Sequence, residues 1–247
     1  MDNPRIVVIG DSHTRALLRG YQEFRQRFPC AGQISIHWLQ SEKAGLIRGD
    51  LSLTDAETIL EGLAPNDLLV LSFMGTLHNI FGLLQHEQPF WVLDALSSSD
   101  NNVPAGHYLI PRSMLATLFE HHHTKNKKVP QLRQWTRARV YHLATPPPKA
   151  DSFVEAKTKI YRDRAVSEAG ITPQRIRGRM WSIEMECVAR VCKALGIGFV
   201  APPSPTIMSD YLLRSEYYEN DATHANAAYG ALVLEQLYLL AADTLLP

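Results

Sequence analysis

The sequence predicts an α/β fold: a doubly wound sheet of about five parallel strands in the order 2-1-3-4-5, with helices on both sides. Three observations predict it. Short β-rich apolar runs alternate with helical stretches along the chain, which is how right-handed βαβ crossovers build a parallel sheet. The first and third runs, Ile6-Val7-Val8-Ile9 and Leu68-Leu69-Val70-Leu71-Ser72-Phe73, are apolar almost throughout, as strands covered on both faces are. Glycine and proline signals punctuate the runs where strands should stop.

The first strand, Ile6–Ile9, stops at Gly10 and gives way to a helix expected over Arg15–Phe28. The second strand is Ile34–Leu39. A helix over Thr54–Leu63 follows, with Thr54 or Asp55 as its N-cap. Pro65-Asn66-Asp67 is a turn signal that introduces the third strand, Leu68–Phe73. The fourth, Arg139–Leu143, is stopped by Pro146-Pro147-Pro148, and the fifth, Ile197–Val200, by Pro202-Pro203. Helices are expected over Ser152–Ala169, over Trp181–Leu195 with Gly196 as a C-cap signal, and over Asn226–Leu246. The stretch Gln85–Leu132 breaks the alternation. It carries Pro89-Phe90-Trp91, a loop signal at Ser97–Asn102, Tyr108–Pro111 and a short helix near Arg112–His122. The chain therefore reads as one domain over 1–247 with an insertion at about 85–132, placed to act as a lid or substrate wall.

Composition bounds the function. At 247 residues, 45% hydrophobic and 20% charged, the chain has the balance of a soluble globular protein. Its 25 basic and 25 acidic residues cancel, so no global charge steers it to nucleic acid or to an anionic membrane. No apolar stretch is long enough for a membrane span, and the run before Gly10 is too short for the core of a signal peptide. Cys30, Cys187 and Cys192 form no paired framework, and Cys187 and Cys192 point to different faces of a helix. They read as reduced thiols, and the location as cytoplasmic.

Two short motifs at opposite ends of the chain carry the chemistry. Gly10-Asp11-Ser12-His13 follows the first strand, and Asp221-Ala222-Thr223-His224 precedes the last helix. A serine on a strand-to-helix turn projects its hydroxyl at the carboxyl end of the sheet. Its N–H lies at a helix N-terminus, where partial positive charge favours an oxyanion. Asp221 and His224, three apart on a turn, supply an orienting carboxylate and a general base. The set reads as Ser–His–Asp nucleophilic catalysis. The competing role for Asp11 or Ser12 is to cap the helix. His121-His122-His123 resembles a metal tract, but no spaced carboxylate or cysteine completes a site, so no metal is expected. Arg175, Arg177 and Arg179 fit a solvated face better than phosphate recognition. Phe90, Trp91 and Tyr108 suit either a substrate pocket or packing of the insertion.

These motifs resemble the SGNH (GDSL-like) hydrolase superfamily. The match includes the continuation Ala225-Asn226-Ala227-Ala228-Tyr229-Gly230. The resemblance implies a flavodoxin-like three-layer α/β/α fold and an esterase, with no metal or organic cofactor. It implies Ser12 as nucleophile, His224 as general base and then acid, and Asp221 as its orienter. The substrate would be a small-molecule or carbohydrate ester carrying an acyl or acetyl group. The resemblance also implies two further oxyanion donors beside the Ser12 N–H. One is a glycine N–H after strand two, here Gly45, with Gly49 second. The other is an asparagine side chain after strand three, here Asn79 in Gly75-Thr76-Leu77-His78-Asn79, with His78 as the alternative donor. Asn79 stands four residues after the glycine, where the family has two. Asp11, His13, His78, Trp91 and Tyr108 are the candidate substrate-binding residues. An acyltransferase using the same acyl-enzyme, and a binding domain without turnover, are the rival readings.

Overall fold

The computed structural model describes residues 4–93, 103–162 and 170–242. The loop signal at Ser97–Asn102, and the ends of the helices expected to reach Ala169 and Leu246, lie outside those residues. The central sheet has five strands: β1 (Ile6–Gly10), β2 (Ile34–Trp38), β5 (Leu68–Ser72), β8 (Arg139–Leu143) and β9 (Gly198–Val200). They lie in the order β2-β1-β5-β8-β9, and every pairing is parallel. Renumbered among themselves, these strands run 2-1-3-4-5. The register places Gly10 beside Trp38 on one side and Ser72 on the other. The winding therefore reverses at the carboxyl end of β1, the switch point where open α/β sheets form their crevice.

Alternation along the strands assigns the two layers of helices. Ile6, Val8, Leu68 and Val70 point to one face and pack with α1 (Thr14–Arg27) and α8 (Ala227–Ala242). Val7, Ile9, Leu69, Leu71 and Val140 point to the other. There they meet α2 (Leu53–Glu61), α5 (Lys128–Gln134) and α7 (Gln174–Ala194). The result is three layers, and the strand residues are almost wholly removed from water. Among the described residues no helix is long and apolar enough to cross a membrane. Cys187 and Cys192 are buried on different sides of α7, and all three cysteines are free thiols.

Helices α1 and α8 meet through small residues. A Cβ on Gly230 would fall 1.9 Å from the Ala16 carbonyl oxygen, and one on Gly20 would fall 2.4 Å from that of Ala227. Glycine at both positions lets the two backbones touch. This close crossing joins the helix that begins just after Ser12 to the helix that begins just after His224.

Several boundaries differ from the sequence reading. Helix α2 starts at Leu53, because the hydroxyl of Ser52 accepts the Asp55 N–H at 3.1 Å. Ser52, rather than Thr54 or Asp55, is thus the N-cap. Helix α7 begins seven residues early, directly after Pro173. That places Arg175, Arg177 and Arg179 inside it; Arg175 is exposed as a solvated face requires, Arg179 is half-buried, and Arg177 departs from the expectation. Arg177 is buried and donates to Asp151 and to the Thr172 carbonyl. The guanidiniums of Arg175 and Arg179 lie 5.6 and 5.7 Å from the Trp91 ring centroid. An antiparallel hairpin, β3 (Ser41–Lys43) and β4 (Leu46–Arg48), was not anticipated. Its turn is Ala44-Gly45, both with positive φ, as a two-residue hairpin of the primed type requires.

The stretch between β5 and β8 contributes α3 (Leu77–Gly82), the parallel pair β6 (Phe90–Leu93) and β7 (Tyr108–Pro111), and α4 (Arg112–Thr124), before α5. Its buried side chains, among them Leu77, Trp91, Leu115 and Phe119, pack against Ile176, Met180 and Ile183 of α7. The remaining helix, α6 (Asp151–Arg162), follows β8.

Candidate active site

Ser12 sits just past the carboxyl end of β1. The Asp11 N–H is tied to the Ser72 carbonyl at 3.1 Å, and Thr14 donates its N–H and hydroxyl back to the Asp11 carbonyl. Gly10 has no room for a side chain, since a Cβ would meet the Ser72 carbonyl at 2.7 Å. The turn between strand and α1 is thereby fixed. The Asp11 carboxylate accepts the His13 N–H at 3.1 Å. No described residue accepts the Ser12 N–H, which stays available at the start of α1.

On the opposing loop the Asp221 carboxylate organises its own turn. One oxygen accepts the N–H groups of Thr223 at 2.9 Å and His224 at 2.7 Å, and the other lies 2.8 Å from His224 Nδ1. This local wrapping is a common habit of aspartate in turns, and it fixes the ring. With Nδ1–H donated to the carboxylate, Nε2 is left as an acceptor. The Ser12 hydroxyl lies 3.0 Å from that Nε2. Burial alone would raise the Asp221 pKa. The hydrogen bonds from the His224 ring and from the two backbone N–H groups outweigh it and hold the carboxyl well below the usual range. The structure thus brings Ser12, His224 and Asp221 into one relay, hydroxyl to imidazole to carboxylate.

His13 stands beside the relay, its ring centroid 5.0 Å from that of His224. Burial pushes its pKa down to about 4. Asp11 opposes the shift, while His224 and His78 reinforce it. His13 is therefore neutral at pH 7, and its Nδ1 is buried without a partner among the described residues.

The cleft at Ser12 measures about 110 Å³ and is predominantly polar, with Arg15, Arg19, Glu219 and Asn220 on its walls. Neither Gly45 nor Asn79 lines it. Gly45 is drawn out to the exposed tip of the β3–β4 hairpin, where a Cβ would meet no described residue within 4 Å beyond its two chain neighbours. Gly49 lies at the foot of that hairpin, against the Trp38 and Leu39 carbonyls. Asn79 is taken up by α3, which begins two residues after Gly75. Its N–H goes to the Thr76 carbonyl, and its side chain bonds to no described residue. The convergence of Gly45 and Asn79 on Ser12 is not what the structure shows. His78 is buried with its N–H and Nδ1 both given to Glu184. Trp91 is packed in the core beside α7. Tyr108 lines a separate, largely apolar cavity of about 560 Å³ with Phe81, Phe90, Leu115 and Met180. Of the histidine tract, His123 turns inward to Glu184 at 3.0 Å, while His121 and His122 are exposed.

Two residues that the sequence reading missed support the site. Lys149 is fully buried, and its ammonium donates to the carbonyls of Glu219 and Asp221, each at 2.6 Å. It also lies over the rings of Phe153 and Tyr218. Burial lowers its pKa to about 8, against the pull of Asp221 and Glu219. Lys149 thus pins the loop that presents Asp221. The available signal was its position directly after Pro146-Pro147-Pro148 at the carboxyl end of a strand.

The second is His142 of β8, fully buried, whose Nε2 accepts the N–H groups of Phe73 at 3.1 Å and Met74 at 3.2 Å. It fixes the loop leading from β5 to Gly75. Burial drives its pKa down to about 3, with the Leu143 backbone opposing. Because the folded pKa lies below the unfolded value, the unfolded chain binds more protons between pH 6.5 and pH 3. Stability should therefore be intact above about pH 6.5 and fall as the pH drops toward 3, by on the order of a few kcal/mol at pH 4. Urea unfolding followed across this range should show the loss, and a reduced slope for His142→Gln. A pH-independent stability between 6.5 and 4 would contradict the burial argument.

No protein-family model matches this sequence, and no curated protein matches it. Several solved structures are similar over nearly the whole chain. One is a GDSL-like lipase from Bacteroides thetaiotaomicron, 15% identical over 96% of this chain and 88% of that one, with a TM-score of 0.45. Another is an extracellular lipase from Streptomyces rimosus, 11% identical over 95% and 99%, with a TM-score of 0.45. A third is the periplasmic domain of a lipopolysaccharide acetyltransferase from Salmonella ser. Paratyphi A, 10% identical over 95% and 82%, with a TM-score of 0.46. The likeness is one of fold.

Proposed function

We propose that this protein is a serine hydrolase that cleaves a carboxylic ester through an acyl-enzyme on Ser12. The observation that carries the reading is the relay of Ser12 Oγ, His224 and Asp221, at 3.0 and 2.8 Å, over the switch point of the sheet. In the first half-reaction the Ser12 hydroxyl gives its proton to His224 Nε2 as Oγ attacks the ester carbonyl. The carbonyl oxygen takes the negative charge and meets the free Ser12 N–H at the start of α1, where the helix dipole favours an anion. Asp221 holds the imidazole in the required tautomer and stabilises the imidazolium. His224 then protonates the departing alkoxide, leaving the acyl group on Ser12. A water then gives a proton to Nε2 as its oxygen attacks the acyl carbon, and the bond from that carbon to Oγ breaks as His224 returns the proton to Ser12 Oγ, freeing the acid and restoring the enzyme.

A fluorophosphonate that phosphonylates activated serines tests this directly. Intact-protein mass spectrometry should show one adduct, localised to the peptide carrying Ser12 and missing from Ser12→Ala and His224→Ala. An unlabelled protein that also cleaves no aryl ester would favour a domain that binds in the cleft without turnover.

A further inference from the structure

The charges on the walls of the Ser12 cleft are unequally matched. Arg19 is paired with Glu219. Asp221 is engaged by His224 and has the Lys149 ammonium 3.7 Å away. Arg15 is exposed on the same wall, and no described residue forms an ion pair or side-chain hydrogen bond with it. Its N–H bonds to the Ser12 carbonyl at 3.3 Å, so Ser12 and Arg15 lie one helical turn apart. Both residues line the same cleft. The guanidinium therefore has access to whatever Ser12 attacks. The cleft is also small. Its volume of about 110 Å³ is below the roughly 150 Å³ of an apolar cavity that takes benzene, and its lining is polar.

Resting on the serine-hydrolase reading above, we propose that Arg15 forms an anion subsite and that the substrate is a short-chain ester with a carboxylate or phosphate group near the scissile bond. A planar fork of N–H donors suits these groups, which it can grip by two parallel hydrogen bonds. An anion there replaces some of the guanidinium's water and faces the positive end of α1. Long apolar acyl chains find no matching volume in this cleft. The larger apolar cavity, between α3, β6, β7 and α4, is lined by neither Ser12 nor His224.

Two matched ester pairs test the proposal. Phenyl acetate with para-acetoxybenzoate places the carboxylate on the alcohol side. Para-nitrophenyl butyrate with para-nitrophenyl hydrogen succinate places it on the acyl side. In at least one pair, Arg15→Gln should lower the ratio of kcat/KM for the anionic ester to that for the neutral ester by about 10- to 100-fold. Arg15→Lys should recover part of the ratio, and Arg15→Glu should lower it further. The change should lie mainly in KM and shrink at high salt. An independent readout needs no turnover: calorimetric binding of benzoate and succinate to Ser12→Ala protein, weakened when Arg15→Gln is added. Unchanged ratios in both pairs together with unchanged anion binding would overturn the proposal. If the wild-type protein cleaves none of the four esters and is not labelled at Ser12, the hydrolase reading fails, and the binding experiment alone decides whether Arg15 holds an anion.

Discussion

Ser12→Ala is expected to lower kcat for ester cleavage by on the order of 10³-fold or more, with little change in KM. In the proposed mechanism the substitution removes the atom that would form the acyl-enzyme and the proton that His224 would take, while the Ser12 N–H and the cleft walls remain. What survives should be the rate that the oxyanion donor and binding give to water attack. His224→Ala should cost about as much, and the double substitution little more than either, because residues of one relay fail together. The fold should be untouched, since among the described residues the Ser12 side chain makes one hydrogen bond, to His224, at a partly exposed position. Far-UV circular dichroism and the melting temperature provide that control. A Ser12→Ala protein as active as the wild type would remove Ser12 from the mechanism even if the 3.0 Å contact were real.

The parts of this molecule that could be read in the sequence are those written locally. The strand runs are apolar because both faces of a parallel sheet are covered, and all five appear within a residue or so of their expected bounds. Ser12 was legible because Gly10 closes a strand and leaves no room for a side chain against Ser72. The Asp221–His224 pair was legible because its geometry is made by the turn itself, through N–H groups two and three residues on. The oxyanion donors were a different matter. Placing Gly45 and Asn79 meant carrying over a spacing this chain does not keep. Gly45, with Ala44 also drawn to a positive φ, folds the first segment into a hairpin. The start of α3 at Leu77 takes Asn79 into a helix, and it does not line the cleft. Lys149 and Glu184 were invisible for another reason: the groups they hydrogen-bond lie 61 or more residues away in sequence, and such a relation leaves no mark on local pattern.

Glu184 gives the largest expected loss of stability. It is fully buried on α7 and accepts four hydrogen bonds: the N–H groups of Leu77 and His78 at 2.8 Å each, His78 Nδ1–H at 2.8 Å and His123 Nε2–H at 3.0 Å. Its acceptor sites are then filled. One side chain thus ties α3, α4 and α7 together at the root of the stretch between β5 and β8. Burial pushes its pKa up, but the hydrogen bonds from His123 and His78 outweigh that and hold it at about 2. Since the folded value lies below the ordinary 4.5, this contribution is present above that pH and is lost as the pH falls through about 2. Glu184→Ala leaves two backbone and two imidazole donors buried with nothing to accept them. The expected cost is about 3–5 kcal/mol, the range for breaking a buried charged network from one side. At roughly 2–4 °C per kcal/mol for a chain of this size, the melting temperature should fall by roughly 6–20 °C. Glu184→Gln should fare little better, because its NH₂ group faces donors where an acceptor is needed. A double-mutant cycle separates the network from simple loss of volume: with Glu184 already alanine, His123→Ala should cost much less than it does alone. Full additivity of the two substitutions, or an alanine variant within about 1 kcal/mol of the wild type, would show that this carboxylate does not hold the three helices together.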